Sequence, residues 1–130
     1  MRIYVASSVR NFEQVREFQE LLISQGHTVT YDWTRAAPDE VWLSGGVEAD
    51  PVKMKEQARL DKEGVIFSDY VVVLDHERNY GTLIEIGMAL ASSVPVVIVG
   101  TPKRNSVFWY LDDVHFVSDD AELLDWLESE

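Results

Sequence analysis

Glu85 is the residue whose surroundings most invite a chemical reading. It stands in the run Gly81-Thr82-Leu83-Ile84-Glu85-Ile86-Gly87-Met88-Ala89-Leu90, and from Thr82 to Ala91 no other side chain is charged. A helix that is apolar nearly all round is expected to be buried, and a buried carboxylate is costly unless it is paired or hydrogen-bonded. Near the start of a helix it would meet free amides and the positive dipole end, which favour the ionised form. An ionised, partly desolvated carboxylate at a strand–loop–helix junction is a candidate nucleophile. The competing structural reading is a capping box: Thr82-x-x-Glu85 has the spacing at which a Glu merely satisfies a backbone amide.

Asp61 is the second candidate. Met54, Ala58 and Val65 mark one helical stripe, and Asp61 falls on the same line. Carboxylates on an inward face are rarely unpaired. Burial could keep Asp61 protonated, or it could share a proton with Glu85, and either state would suit a general acid. The structural alternative is a carboxylate paired with Arg59 or a backbone amide. Tyr4 alternates with Ile3 and Val5 along a short strand, so its phenol could reach a buried carboxylate. Otherwise it is a core tyrosine.

Binding candidates surround these three. Ser7-Ser8-Val9-Arg10 follows the first strand, where hydroxyls, amides and a guanidinium can hold a phosphate. Neither common Gly-rich phosphate loop is present. Tyr31 and Trp33 close the second strand and could stack on a base at a pocket rim. His27, His76 and His115 show no metal-ligand spacing, and the consecutive Asp75-His76-Glu77 would rarely converge on one ion. No metal and no cofactor are expected.

The elements that must position these groups alternate along the chain. Residues 2–6 read as a strand, and a helix starting at Asn11 presents Phe12, Val15, Phe18, Leu21 and Leu22 on one face before Gly26 stops it. Residues 28–32 read as a second strand, and periodicity is lost over 34–50, where Pro38, Gly45 and Gly46 mark a loop. A second helix covers 51–67 with Pro51 in its first turn, and 70–75 is a third strand. A loop through Asn79 leads to a third helix over 82–92, followed by a fourth strand at 95–99. The fifth strand is 114–117, and Ser118 can cap a last helix over 119–129 that turns Leu123, Leu124 and Leu127 inward.

This alternation predicts a single α/β domain over 1–130, with a doubly wound, flavodoxin-like five-stranded parallel sheet of order 2-1-3-4-5. Ligands bind such sheets beyond the carboxyl ends of the strands, near the switch in strand order. That rule selects 6–10, 31–34, 75–85 and 100–106. A receiver domain shares the fold class but needs an acidic pair after its first strand, where this chain has Ala6-Ser7-Ser8.

Composition sets the outer bounds. The 130 residues are 46% hydrophobic, enough for one sizeable core. There is no cysteine, so neither a disulfide framework nor a cysteine zinc site can form. The formal net charge of −12 argues against a nucleic-acid polymer as partner, although one small anion could still be held locally. The longest apolar runs, 71–74 and 94–99, are strand-sized. No stretch reads as a secretory leader or membrane span, so a cytoplasmic protein with no membrane partner is expected.

Three stretches, in order and on the expected elements, resemble the nucleoside 2-deoxyribosyltransferase superfamily, which includes 2′-deoxynucleoside 5′-phosphate N-hydrolases. They are Ile3-Tyr4-Val5-Ala6-Ser7-Ser8-Val9-Arg10, Asp61 placed eight residues before Asp69, and Gly81-Thr82-Leu83-Ile84-Glu85-Ile86-Gly87. The resemblance spans nearly the whole chain. It implies cleavage of the N-glycosidic bond of a nucleoside or nucleotide, with Glu85 as nucleophile, Asp61 as acid/base and Tyr4 bonded to the carboxylates. It implies 5′-phosphate binding by Ser8 and Arg10 and, on the transferase side, an Asn105 lent to a neighbouring subunit's site; Trp33, Asp75, Asn79 and Gly81, by their place at the carboxyl edge of the sheet, complete the substrate-binding candidates. It also implies a homodimer or larger homo-oligomer, in which the apolar loop at 101–109 completes a neighbour's site. Asn79 stands where the hydrolase branch carries a phosphate-binding Ser, and the second such Ser falls near Phe108 or Trp109 unless Ser106 replaces it. Hydrolase and transferase therefore both stay open. A non-catalytic nucleotide-binding or sensor domain is the rival from another class, and a purely structural domain is a third reading.

Overall fold

Valine-rich runs build the sheet. In the computed structural model, which describes residues 1–35, 50–74, 80–100 and 106–130, five parallel strands form: β1 (Arg2–Ala6), β2 (Thr28–Val29), β3 (Tyr70–Val73), β4 (Val96–Val99) and β5 (Val114–Val117). Their order is β2-β1-β3-β4-β5, as the alternation predicts. The central strands pair in register, with Ala6 opposite Val73 and Val73 opposite Ile98. Ile3, Val5, Ala6, Val71, Val72, Val73, Val96, Val97 and Ile98 are wholly inaccessible. That is the expected state of parallel strands covered on both faces.

Among the described residues, four helices cover the sheet: α1 (Phe12–Ser24), α2 (Pro51–Ile66), α3 (Tyr80–Ala91) and α4 (Asp120–Ser129). Strand order reverses direction between β2 and β3, so right-handed crossovers put α1 on one face and α2 and α3 on the other. Helices α2 and α3 pack against each other there. Local chemistry sets the helix starts. Asp50 accepts from the Val52 amide at 2.9 Å, and Pro51 occupies the first turn where no amide is missed. At α4 the cap is Asp119, not Ser118: Asp119 accepts from the Glu122 amide at 2.8 Å, and Glu122 accepts from the Ser118 amide at 2.6 Å. This is a reciprocal box shifted by one residue from the expected position. Gly26, at φ 91, ends α1 in the left-handed region.

Other boundaries differ from expectation for physical reasons. Strand β2 has two residues rather than five. After the Thr30 amide bonds Ile3 O at 3.0 Å, the Asp32 side chain accepts from the Thr34 amide and turns the chain into a single 3-10 turn at Trp33–Arg35. On α1, Gln19 is buried and Leu21 is exposed. On α2, Ala58 points outward, and the inward line runs through Met54, Gln57, Asp61 and Gly64. Helix α3 begins at Tyr80 and is not buried all round: Thr82, Ile86 and Ala89 face inward, while Ile84 is 62% exposed. Among the described residues, no helix is long and apolar enough to cross a membrane.

Candidate active site

The site is assembled between β1, α2 and α3. Tyr4 is 1% exposed, in the strand beside Val71, and its ring lies against α2 at Gly64. A Cβ on Gly64 would come within 3.0 Å of the Tyr4 ring and 2.8 Å of Tyr31 Cβ. Only glycine permits that approach, and Thr30 Oγ1 donates to Gly64 O at 2.7 Å to fix it. With the ring so placed, the Tyr4 hydroxyl donates to Glu85 Oε2. Glu85 lies in the second turn of α3, and Thr82 is already inside that helix rather than at its cap. One oxygen of the Glu85 carboxylate is thus engaged by a side chain from the sheet, a partner that a capping box does not supply.

Asp61 sits one helical turn after Gln57, whose Nε2 donates to Asp61 Oδ1 at 3.0 Å. The Tyr31 hydroxyl donates in turn to Gln57 Oε1 at 3.1 Å. Arg59, the alternative partner, turns away to bond Glu56 at 2.5 Å and Glu63 at 2.8 Å on the outer surface. No cation neutralises Asp61 among the described residues.

Burial dominates the electrostatics. It pushes the Glu85 carboxyl up to about 8, against the Tyr4 hydrogen bond and with added repulsion from Asp61. It pushes Asp61 up to about 6, with the Gln57 bond opposing. Tyr4 is raised well above the usual phenol value, first by burial and then by the charges of Glu85 and Asp61. Tyr4 thus stays protonated and remains a donor. Two carboxyls whose surroundings separate their proton affinities are what acid–nucleophile chemistry requires.

The binding candidates are placed as follows. Ser8 caps the short turn Val9–Asn11, accepting from the Arg10 amide at 3.4 Å, and Arg10 is exposed with no ion pair among the described residues. Both follow β1, whose carboxyl end is paired with that of β3, and Gly81 lies exposed in the first turn of α3. Trp33 is a core residue, not a rim residue: it is 4% exposed and its indole donates to Val5 O at 2.7 Å. Tyr31 is tied to Gln57 instead of standing free to stack. Asp75, Asn79 and Asn105 lie outside the described residues. A cavity of about 760 Å³ between α1, β2 and the 33–35 turn is lined by Arg16, Gln19, His27 and Asp32, and includes none of Tyr4, Asp61 and Glu85.

No protein-family model matches the chain, and no curated protein matches it. In fold, this chain is similar to a CMP N-glycosidase. The solved structure of that enzyme, BcmB of Clostridium botulinum, aligns with a TM-score of 0.63 at 18% identity, over 98% of this chain and 99% of that one. The likeness to BcmB runs from end to end of both chains and fixes the architecture.

Two residues of the site escape a sequence reading. Gln57 is uncharged and has no catalytic signature, but it lies one turn before Asp61, which is the spacing that could have found it. Gly64 is an isolated glycine inside a helical pattern, a sign of close packing.

Proposed function

We propose that the protein cleaves the N-glycosidic bond of a nucleoside or nucleoside 5′-monophosphate through a covalent glycosyl–Glu85 ester. The observation that carries this is the Tyr4–Glu85 hydrogen bond beside Asp61, in a sheet whose fold is similar to that of a CMP N-glycosidase. Glu85 in its ionised form attacks C1′. The C1′–N bond breaks, its electron pair leaves with the base, and Asp61 supplies the proton that neutralises the base. A retaining double displacement follows, in which water, or a second base, attacks C1′ and frees Glu85. Tyr4 orients the nucleophile and, as a donor, favours its ionised state.

The order of proton affinities favours a second assignment in which the roles are exchanged. Glu85 holds its proton to about 8 and Asp61 only to about 6. At neutral pH the pair then carries one proton, and attack by Glu85 requires that proton to reside on Asp61. The Tyr4 bond supports the first assignment, because it engages Glu85 and leaves Asp61 free to move its proton.

Ser8 and Arg10 are proposed to bind a 5′-phosphate, since an exposed guanidinium with no ion pair among the described residues and a hydroxyl stand at the carboxyl end of β1. The working unit is proposed to be a homodimer or larger homo-oligomer. Apolar residues crowd the surface of α3 and the 107–110 turn: Tyr80, Leu83, Ile84, Val107, Phe108 and Tyr110 are all exposed. Trp109, expected among them, instead packs inward, edge to face on Phe116.

A panel of nucleosides and nucleoside monophosphates incubated with the protein, followed by chromatography, tests the reaction. Release of free base from at least one member is the expected result. A panel without turnover but with ligand-induced thermal stabilisation would favour a non-catalytic binding domain instead.

A further inference from the structure

Asp61 has two oxygens, and among the described residues only Oδ1 is held. Gln57 Nε2 lies 3.0 Å from Oδ1, and the Tyr31 hydroxyl lies 3.1 Å from Gln57 Oε1. The direction of this chain follows from donor and acceptor inventory. A carboxylate only accepts, so the amide must turn its NH₂ toward Asp61. Its carbonyl is then left facing Tyr31, whose hydroxyl donates. A flipped amide would set carbonyl against carboxylate. Tyr31 is held for the task by Gly64, because the bare helix surface lets α2 approach Tyr31 Cβ. Burial raises the Tyr31 phenol above its usual value, so it remains a donor across the working pH range.

We propose that Gln57 is a positioning residue for Asp61, oriented by the Asp61 carboxylate and braced by Tyr31, and that it confines the transferable proton of Asp61 to Oδ2. A proton on Oδ1 would confront the amide N–H, whereas a proton on Oδ2 leaves Oδ1 as the acceptor. The destination of that proton, the departing base, rests on the glycosidic reading above. The confinement itself does not.

The same bond steadies the ionised form of Asp61 against burial. The titratable groups around Asp61 among the described residues are Tyr4 from β1, Tyr31 from the segment after β2, and Glu85 from α3. Of these only Glu85 ionises near neutrality, so it is the group to hold fixed.

The test is a ¹³C carboxyl titration of Asp61 by NMR in the Glu85→Gln background. It compares that protein with two further variants, Gln57→Leu and Tyr31→Phe, each added to it. Leucine is a good helix former of similar size and phenylalanine keeps the ring, so both should fold. Loss of Gln57 should move the Asp61 midpoint upward by about one pH unit, the scale of one hydrogen bond to a charged group. Tyr31→Phe should move it in the same direction by less. In the active enzyme, Gln57→Leu should lower kcat about tenfold with KM unchanged, because Gln57 is not asked to touch substrate. An Asp61 midpoint unmoved by both variants would overturn the proposal. If the wild type releases no base from any nucleoside, the glycosidic reading fails, and the NMR titration alone decides the positioning claim.

Discussion

A carboxyl group is given its chemistry by what surrounds each oxygen, and at Glu85 the surroundings conflict. Burial resists ionisation while Tyr4 favours it, and burial is the larger effect. This has a measurable consequence for stability. The folded protein holds the Glu85 proton to about 8 against an ordinary 4.5. Between those values the folded state binds more protons than the unfolded one, so stability falls as pH rises through that window. Glu85→Gln keeps an oxygen for Tyr4 and removes the ionisation. It should therefore be more stable than the wild type at pH 8, by roughly a few kcal/mol, with a higher melting temperature, and the gap should close near pH 5. The same variant should lose base release by orders of magnitude, because an amide cannot form the ester. Activity within about tenfold of wild type would remove Glu85 from the chemistry. Glu85 was legible in the sequence as a lone charge in an apolar run. Its partner was legible only as a possibility, since alternation places Tyr4 on a face without saying which helix lies there.

At the scale of elements, helix α2 is where hydrophobic periodicity misleads. Ala58 and Gln57 are neighbours on the helix surface, about 100° apart. A reading by apolar residues selects Ala58, whereas the fold turns Gln57 inward because Asp61 and Tyr31 satisfy its amide. The same error exchanges Leu21 for Gln19 on α1. Buried amides break the apolar pattern from which helix faces are inferred. Gly64 shows the converse, since its value lies in an absent side chain. Gly64→Ala should push α2 away from Tyr4 and Tyr31, at a cost of about 1–3 kcal/mol for overpacking, and should reduce turnover by displacing the Tyr4 hydroxyl from Glu85. Thermal melting and base-release rates measure both. An alanine variant with wild-type stability and rate would show that the close approach at Gly64 does not position the site.

For the whole molecule, strand order was legible because right-handed crossovers and strand–helix alternation leave few arrangements. Surface was not. An apolar helix reads as buried from every side, yet α3 presents Leu83 and Ile84 outward. A helix that is apolar all round but exposed on one flank has the composition of one covered by another subunit. Light scattering at micromolar concentration should therefore give at least a dimer. Ile84→Lys, which places a charge in that face, should shift the protein toward monomer and lower its activity if the neighbour completes the site. A fully active wild-type monomer would contradict the shared-site assembly.

The most direct measurement asks whether a glycosyl–Glu85 ester can be trapped. A 2′-fluoro-arabino nucleotide carries an electron-withdrawing group that slows breakdown of a glycosyl ester, because the transition state resembles an oxocarbenium ion. Incubation with the protein, proteolysis and mass spectrometry should find the added sugar phosphate on the peptide that contains Glu85, and none after Glu85→Gln. The sugar on the peptide that contains Asp61, or turnover of the analogue with no adduct on Glu85, would contradict nucleophilic attack by Glu85.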